Sequence, residues 1–383
     1  MREAQHSSMG WTNRIGIGTA TGARLRPALL AAGFAGVSLA MEGQALAQPE
    51  PPRFEAHMLE RVEPRNEFDD YGYHVHALAD DGTVYGTVYN RQQNRFKAIK
   101  SRVGEGTTWL LPHDPGAVEV RTVAASISGV ALLFVWAWPQ DYIFVPGHGV
   151  RQLNNLHPSI FFPNDLNNQH EITGAVDISP NNRGVTYRRS TGFEYFVEER
   201  SSGDRINDQG TVLGHLGGGA EGLDIRVWHS DGRISDFVLP TNGPATRVLN
   251  NVDEACGQYH REDSMGHVRF GGWFWSDRTG LVEIPFRYIY PEGGFDVQVF
   301  GISDDGWVLG REARTDGPEF YREAFLWHVD AGFVDLADLW EWQGRFDPRQ
   351  VFLGAVNGPG QMAIETFSAT LNRWVYVFLD PIK

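Results

Sequence analysis

Three observations predict an all-β fold, a seven-bladed β-propeller whose N-terminal strand completes the last blade. First, a pattern of short apolar strands separated by tight turns recurs every 40 to 52 residues. Second, each copy carries two turn signals, one rich in Asp, Asn and Gly and one centred on a glycine. Third, the last copy lacks a fourth strand, while an unpaired strand precedes the first copy. Repeats of this length are typical of propellers and other repeat arrays.

The sixth copy shows the order of elements most clearly. A strand end and turn are followed by three further strands, and these segments are Ile302–Gly306, Trp307–Gly310, Ala324–Trp327 and Phe333–Leu336. The fourth copy repeats this order at Ile206–Gly214 and Val227–Gly232. Short, aromatic-rich strands between Gly and Asp/Asn turns indicate β structure throughout.

The two turn signals fix the blade limits. The glycine between the third and fourth strands falls at Gly106, Gly149, Gly192, Gly232, Gly280 and Gly332. The turn between the first and second strands falls at 80–82, 167–169, 208–210, 251–253, 304–306 and 358–360, and weakens to Ser128–Gly129 in the second copy. The expected blades are 69–112, 113–153, 154–200, 201–240, 241–290, 291–340 and 341–383 plus 53–61. Because the second and third copies are weak, six or eight blades are the alternatives.

The seventh copy ends after its third strand, Trp374–Leu379. The segment Phe54–Glu60 reads as a strand and has no local partner. An exposed edge strand invites aggregation, and a propeller removes it by letting one terminus complete the blade of the other. We therefore expect residues 48–383 to form one domain.

Residues 1–47 read as a secretory signal peptide. Arg14, Arg24 and Arg26 precede a short apolar run, 28–40, and Ala45–Ala47 offers a cleavage site. The run 28–40 is too short to span a bilayer comfortably, and no later run reaches the length of a membrane helix, since the longest, 130–138, fits a buried strand. The sequence therefore predicts a protein that is secreted or periplasmic after cleavage near Ala47, without a membrane span.

Charge and cysteine content exclude several function classes. The net charge of −15 argues against general nucleic-acid binding, which needs a basic surface. The single cysteine, Cys256, excludes an internal disulfide framework and is expected to be a buried apolar residue. No cofactor is expected, and we expect a monomer.

The motif I-N-D-x-G-x-V-x-G, followed by a strand containing tryptophan, resembles the HAF-repeat family of probable extracellular proteins. Residues 206–214 with Val227-Trp228, and 302–310 with 324–327, carry this resemblance. The resemblance implies export and a propeller-like repeat fold, and it implies no settled activity and no catalytic residues.

Candidate site residues fall on the face where the loops between second and third strands meet the links between blades. Loops on a rigid scaffold commonly carry function. His215 and Arg311 follow the second strand of their blades, and His260 and Arg261 come shortly after it, so a shared mouth is expected. Histidine can act as a base and arginine can bind a carboxylate. Linker aromatics that could stack on sugars are Tyr288, Tyr290, Trp340 and Trp342. Metal binding by His74, His76, His113 or His157 is open, because their spacing is not diagnostic.

Two functions from different classes follow. The first is a secreted module that recognises an extracellular glycan or partner protein through this face. The second is a polysaccharide-degrading enzyme. A lyase would use a His or Tyr base, with Tyr259 as a further candidate, and arginines that neutralise a uronate. A glycoside hydrolase would need two carboxylates, for which Glu365, Asp263 and Asp177 are candidates. A purely structural envelope protein is the remaining alternative.

Overall fold

The computed structural model describes residues 48–59, 68–90, 95–110, 119–126, 128–136, 140–146, 148–153, 161–178, 181–217, 223–239, 241, 246–262, 268–287, 297–316, 319–339, 347–368 and 370–382. These residues form seven antiparallel blades in a ring, the arrangement of a seven-bladed β-propeller. The predicted fold class and blade number are confirmed. The predicted signal peptide, 1–47, lies outside the described residues and stays a prediction.

Every complete blade contains four strands, ordered from the innermost to the outermost. Blades 1 to 3 are β2 (Phe68–Leu78), β3 (Val84–Asn90), β4 (Arg95–Arg102) and β5 (Gly106–Trp109); β6 (Glu119–Ala125), β7 (Ala131–Trp136), β8 (Gln140–Val145) and β9 (Gly149–Gln152); and β10 (Phe161–Leu166), β11 (Ile172–Ile178), β12 (Asn181–Arg188) and β13 (Gly192–Glu199). Blades 4 and 5 are β14 (Ser201–Ile206), β15 (Val212–Leu216), β16 (Leu223–Trp228) and β17 (Ile234–Leu239); and β18 (Thr246–Leu249), β19 (Ala255–Glu262), β20 (Val268–Ser276) and β21 (Gly280–Ile284).

Blade 6 is β22 (Val297–Ile302), β23 (Val308–Asp316), β24 (Glu319–His328) and β25 (Gly332–Asp335), followed by a short 3-10 helix, Leu336–Asp338. Blade 7 takes β26 (Asp347–Val356), β27 (Met362–Ser368) and β28 (Arg373–Ile382) from the C-terminus. Its fourth strand is β1 (Arg53–Met58), which pairs antiparallel with β28 from Arg53 opposite Ile382 to Met58 opposite Val377. The predicted closure of the ring is therefore confirmed.

The predicted turns are present, and their glycines explain why the sequence marks them. Gly210 and Gly306, in the turns between first and second strands, have φ of 82° and 79°, which glycine adopts readily because it has no Cβ. The second and third strands are longer than predicted. β19 and β23 continue through residues expected in loops, because they stay paired with β20 and β24 as far as Glu262 and Asp316.

Most innermost strands contain a β-bulge near the turn. The register of β14 with β15 skips Asp204, and that of β10 with β11 skips Asn164. Equivalent shifts occur at His76, Val123, Phe300 and Leu353. A bulge leaves one residue outside the ladder and redirects its side chain. In blades 3 and 4 the redirected side chain is polar and reaches the next blade.

The core lies between the blades. Phe237 of blade 4 packs against Trp273 and Trp275 of blade 5, with ring centroids 5.5 and 5.4 Å apart. Both tryptophans are buried, as is Cys256. Burial also raises the pKa of the Cys256 thiol. The two tryptophans are therefore interblade packing groups, and the prediction that Cys256 is a buried apolar residue is confirmed.

Candidate functional site

A cleft of about 540 Å³ opens between blades 3 and 4, on the face that carries the links between blades. We call it the 3–4 cleft. Its described lining residues are Phe162, Asn164, Ala175, Asn181, Asn182, Arg200, Ser201, Ser202, His215 and Gly217. It lies on the face predicted to carry function, and His215 is the predicted site residue in its lining.

The 3–4 cleft lies beside the shortest link between two blades. A single residue, Arg200, joins β13 to β14, and its φ is 58°. The Arg200 carbonyl oxygen accepts a hydrogen bond from the N–H of Gly217, which ties the link to the end of β15. A Cβ on Gly217 would stand 2.8 Å from the Cβ of Arg200, so this close approach requires glycine.

The two bulge residues place polar groups beside the cleft. Asn164 Nδ2 donates to Ser202 Oγ at 3.1 Å and to the Gly203 carbonyl at 2.8 Å. The Asp204 carboxylate accepts a hydrogen bond from Arg247 of blade 5. Arg247 holds the position in β18 that Asp204 holds in β14, but β18 has no bulge. The bulges therefore join each blade to its successor near the site.

His215 lies in β15 opposite Ser202. Its Nδ1 is 2.9 Å from Asp204 Oδ2 and 3.2 Å from Arg247 NH1. About a third of the His215 side chain is exposed, whereas Arg247 is nearly buried. Nδ1 faces Asp204, and Nε2 has no hydrogen-bond partner among the described residues. Nε2 is therefore the ring nitrogen that a ligand could reach. A carboxylate that orients an imidazole in this way is typical of histidine bases.

The 3–4 cleft offers hydrogen bonds and one exposed ring. Asn182 supplies an exposed amide and Ser202 a partly exposed hydroxyl, and 41% of Phe162 is exposed. The described lining contains Arg200 and His215 but no carboxylate. Such a surface can hydrogen-bond a polyhydroxylated ligand and pack against its apolar ring face.

Arg311 and His260 have different surroundings from His215. Arg311 is buried within β23, donates from Nε to Gln298 Oε1 at 2.6 Å and lies 5.4 Å from the Phe300 ring. Its NH1 also reaches the Val351 carbonyl of blade 7, at 3.4 Å. The placement of Arg311 at a loop start is therefore wrong, because β23 continues past it and the side chain ties two blades.

His260 belongs to β19 and packs edge-on against Phe270, with ring centroids 4.3 Å apart. Arg261 is in the same strand, and its side chain lies outside the described residues. Neither residue begins a loop, contrary to expectation. His260 and Arg311 are not among the described residues that line the 3–4 cleft, so their catalytic roles stay predictions.

The remaining candidates divide into placed and undescribed residues. Tyr259 is 2% exposed and its hydroxyl donates to Glu283, so it is a core residue. Glu365 is half-buried in β27, and Asp177 is exposed in β11. The predicted ligand-binding aromatics Tyr288, Tyr290, Trp340 and Trp342 lie outside the described residues, as do Asp263, His113 and His157.

A second cavity, of about 210 Å³, lies in the central channel where the innermost strands end. Four buried asparagines ring it and join neighbouring blades. Each Nδ2 donates to a carbonyl of the following blade, and the bonds run from Asn167 to Asn207, Asn207 to Asn250, Asn250 to Ser303 and Asn357 to Ala79, at 2.8–2.9 Å. We call these four residues the asparagine belt.

The next residue of each turn forms another ring in the channel. The backbone N–H of Asn168 donates to Asp208, that of Asp208 to Asn251, and that of Asn251 to Asp304. Asn168 Nδ2, in blade 3, donates to Asp80 Oδ2, in blade 1, at 3.0 Å. This bond bypasses blade 2, whose described turn residues include no Asn or Asp. The channel polar groups therefore satisfy one another, which favours a structural role.

No group of three or more His, Cys, Asp or Glu side chains among the described residues could hold a metal ion. In the same residues, no helix has the length and apolar composition needed to cross a membrane.

Burial, and then the Asp208 carboxylate, raise the pKa of Asp80 above its ordinary value. The folded state therefore binds a proton more readily than the unfolded chain, so ionised Asp80 lowers stability above the folded pKa. We expect Asp80→Asn to raise the free energy of unfolding above that of the wild type, and to do so most at neutral pH. The difference should shrink as the pH falls through the raised pKa towards the ordinary value of 3.8. Urea unfolding of both proteins across this range measures it, and a constant difference would contradict the prediction.

No protein-family model matches the chain, and no similar curated protein is found. Solved structures of β-propeller proteins are similar to it. The acylaminoacyl peptidase of Pyrococcus horikoshii matches with a TM-score of 0.51 and 11% identity, over 82% of this chain and 52% of that one. A prolyl endopeptidase matches with a TM-score of 0.50 and 10% identity, over 83% and 51%. A streptogramin B lyase matches with a TM-score of 0.48 and 11% identity, over 86% and 98%.

This chain spans about half the length of the two peptidases. At these identities the likeness shows the fold alone. The HAF-repeat resemblance stays a prediction.

Proposed function

We propose that this protein is an exported β-propeller that binds an extracellular glycan in the 3–4 cleft. The observation that carries the proposal is the lining of that cleft, in which the Asn182 amide and the Ser202 hydroxyl share the opening with the exposed ring of Phe162. Sugars present hydroxyl groups at their edges and C–H groups on their ring faces, so they match both parts. Export rests on the predicted signal peptide alone.

A polysaccharide lyase is the second candidate, favoured by one observation. His215 lines the cleft with Nδ1 held towards Asp204, which leaves Nε2 to abstract a proton. A glycoside hydrolase lacks such support at this site, because the described lining of the cleft contains no carboxylate.

We expect Phe162→Ala to weaken glycan binding about fivefold or more, because a sugar face loses its aromatic platform. The measurement is retardation in affinity gels across a panel of neutral and acidic polysaccharides. Tyr195→Ala is the matched control, since Tyr195 is also 41% exposed on blade 3 but lies in the outermost strand. Equal effects of the two changes would contradict a site in the cleft.

The same panel separates the other functions. New absorbance from unsaturated uronates, lost in His215→Ala and kept in a variant of the exposed His148, would establish the lyase. If no polysaccharide is bound or cleaved, the glycan proposal fails and a protein partner becomes the remaining use of the cleft.

A further inference from the structure

Arg200 has a backbone conformation that its residue type disfavours. Four described residues other than glycine have positive φ, and the other three are His170, Asp253 and Asn372. Asn, Asp and His tolerate this region best, whereas a long side chain there costs about 1–2 kcal/mol. Strain of this kind persists where the surrounding structure imposes it, and it concentrates at functional sites.

The guanidinium of Arg200 is oriented at the cleft. Its Nε donates to Asn181 Oδ1 at 2.9 Å, which fixes the plane of the group. The two terminal nitrogens have no hydrogen-bond or ion-pair partner among the described residues. A fixed guanidinium with both terminal nitrogens available matches the two oxygens of a carboxylate or sulfate.

The surroundings of Arg200 favour an anion. On a chain of net charge −15, the charged and titratable side chains in the described lining are Arg200 and His215. Asp204, behind His215, is paired with Arg247. Two exposed carboxylates lie near the rim: Glu199, whose Oε2 accepts from Asn181 Nδ2 at 3.3 Å, and Asp177, which lies opposite Asn182.

We propose that the glycan bound in the 3–4 cleft is anionic, and that Arg200 binds its carboxylate or sulfate group through the two terminal nitrogens. This inference rests on the proposed function and names its ligand class. Asn181 acts on the ligand indirectly, by fixing the Arg200 side chain.

The test compares polygalacturonate with its fully methyl-esterified form, which has the same backbone without charge. We expect the wild-type protein to prefer the charged polymer at least about tenfold, and Arg200→Gln to remove that preference, since a charge-assisted pair is lost. Arg189→Gln is the matched control, because Arg189 is exposed and follows β12 at its far end, away from the cleft. It should leave the preference unchanged.

Two further variants separate binding from folding. Glycine relieves the positive φ, so Arg200→Gly should fold at least as well as Arg200→Gln and still lose the preference. Glu199→Gln removes one anion from the rim and should strengthen binding of the charged polymer. If Arg200→Gly retains the full preference, or Glu199→Gln weakens binding, the inference is overturned.

The outcomes also separate this inference from the proposed function. Binding of both polymers alike, sensitive to Phe162→Ala but not to Arg200→Gln, keeps the glycan site and removes the anion. Binding of neither polymer, nor of a sulfated glycan such as heparin, removes the anion inference, and it removes the glycan site as well when no neutral polysaccharide of the panel binds. Tighter binding of heparin than of desulfated heparin, which keeps its carboxylates, would identify sulfate as the group recognised, and equal binding of the two would identify carboxylate.

Discussion

Replacing Asn250 with alanine should lower the free energy of unfolding by about 3 kcal/mol, a large effect for one side chain of modest size. Asn250 is 4% exposed and uses its whole amide group. Its Oδ1 accepts the N–H groups of Val252 and Glu254, at 3.1 and 2.8 Å. Its Nδ2 donates to the Ser303 carbonyl of blade 6, at 2.8 Å. Alanine leaves one buried and two partly buried backbone groups without these partners.

The measurement is urea or guanidinium unfolding, in which a shift of the midpoint at constant slope reports the change in stability. Val252→Ala in the same turn is the control, because that side chain is 51% exposed and should cost less than about 0.5 kcal/mol. Equal stabilities of the two variants would show that the asparagine belt does not join the blades.

The belt also shows what the sequence could and could not predict. Asn and Gly at the turns predict tight turns because they tolerate positive φ and cap their own backbone, and the structure has turns at those positions. The same Asn side chains also donate across to the next blade. That second role was not predictable, because it depends on the distance between blades rather than on local turn chemistry.

The site divides in the same way. His215 was predicted from its position after a strand, but its partners Asp204 and Arg247 were not. Asp204 reaches His215 because a bulge places it outside the β14 ladder, and no residue type marks that bulge. Arg200 was missed because its role depends on a one-residue link between blades. The pattern of strands along the sequence does predict that the seventh copy has only three strands and needs one from the N-terminus. This prediction requires a count of strands and no knowledge of side-chain positions.

Removing residues 48–59 should therefore have the largest effect of all, loss of the folded monomer. The deletion removes the six residue pairs between β1 and β28. It also removes Phe54 and Leu59, which are 3% and 5% exposed. Each large apolar side chain taken from a core costs about 3–5 kcal/mol, so the sum approaches the whole stability of a typical domain. The bared edge of β28 should then pair with other chains.

Size-exclusion chromatography and thermal unfolding of chains beginning at Gln48 and at residue 60 measure this effect. A circular permutant supplies the control that simple truncation lacks. Because Arg53 lies opposite Ile382, residues 48–59 can be moved behind Lys383 through a short turn, which makes blade 7 continuous in sequence. This permutant should recover a monomer with cooperative unfolding, whereas the same permutant carrying Phe54→Asp should not. A stable monomer beginning at residue 60 would contradict closure by β1, because it would show that a three-stranded blade suffices.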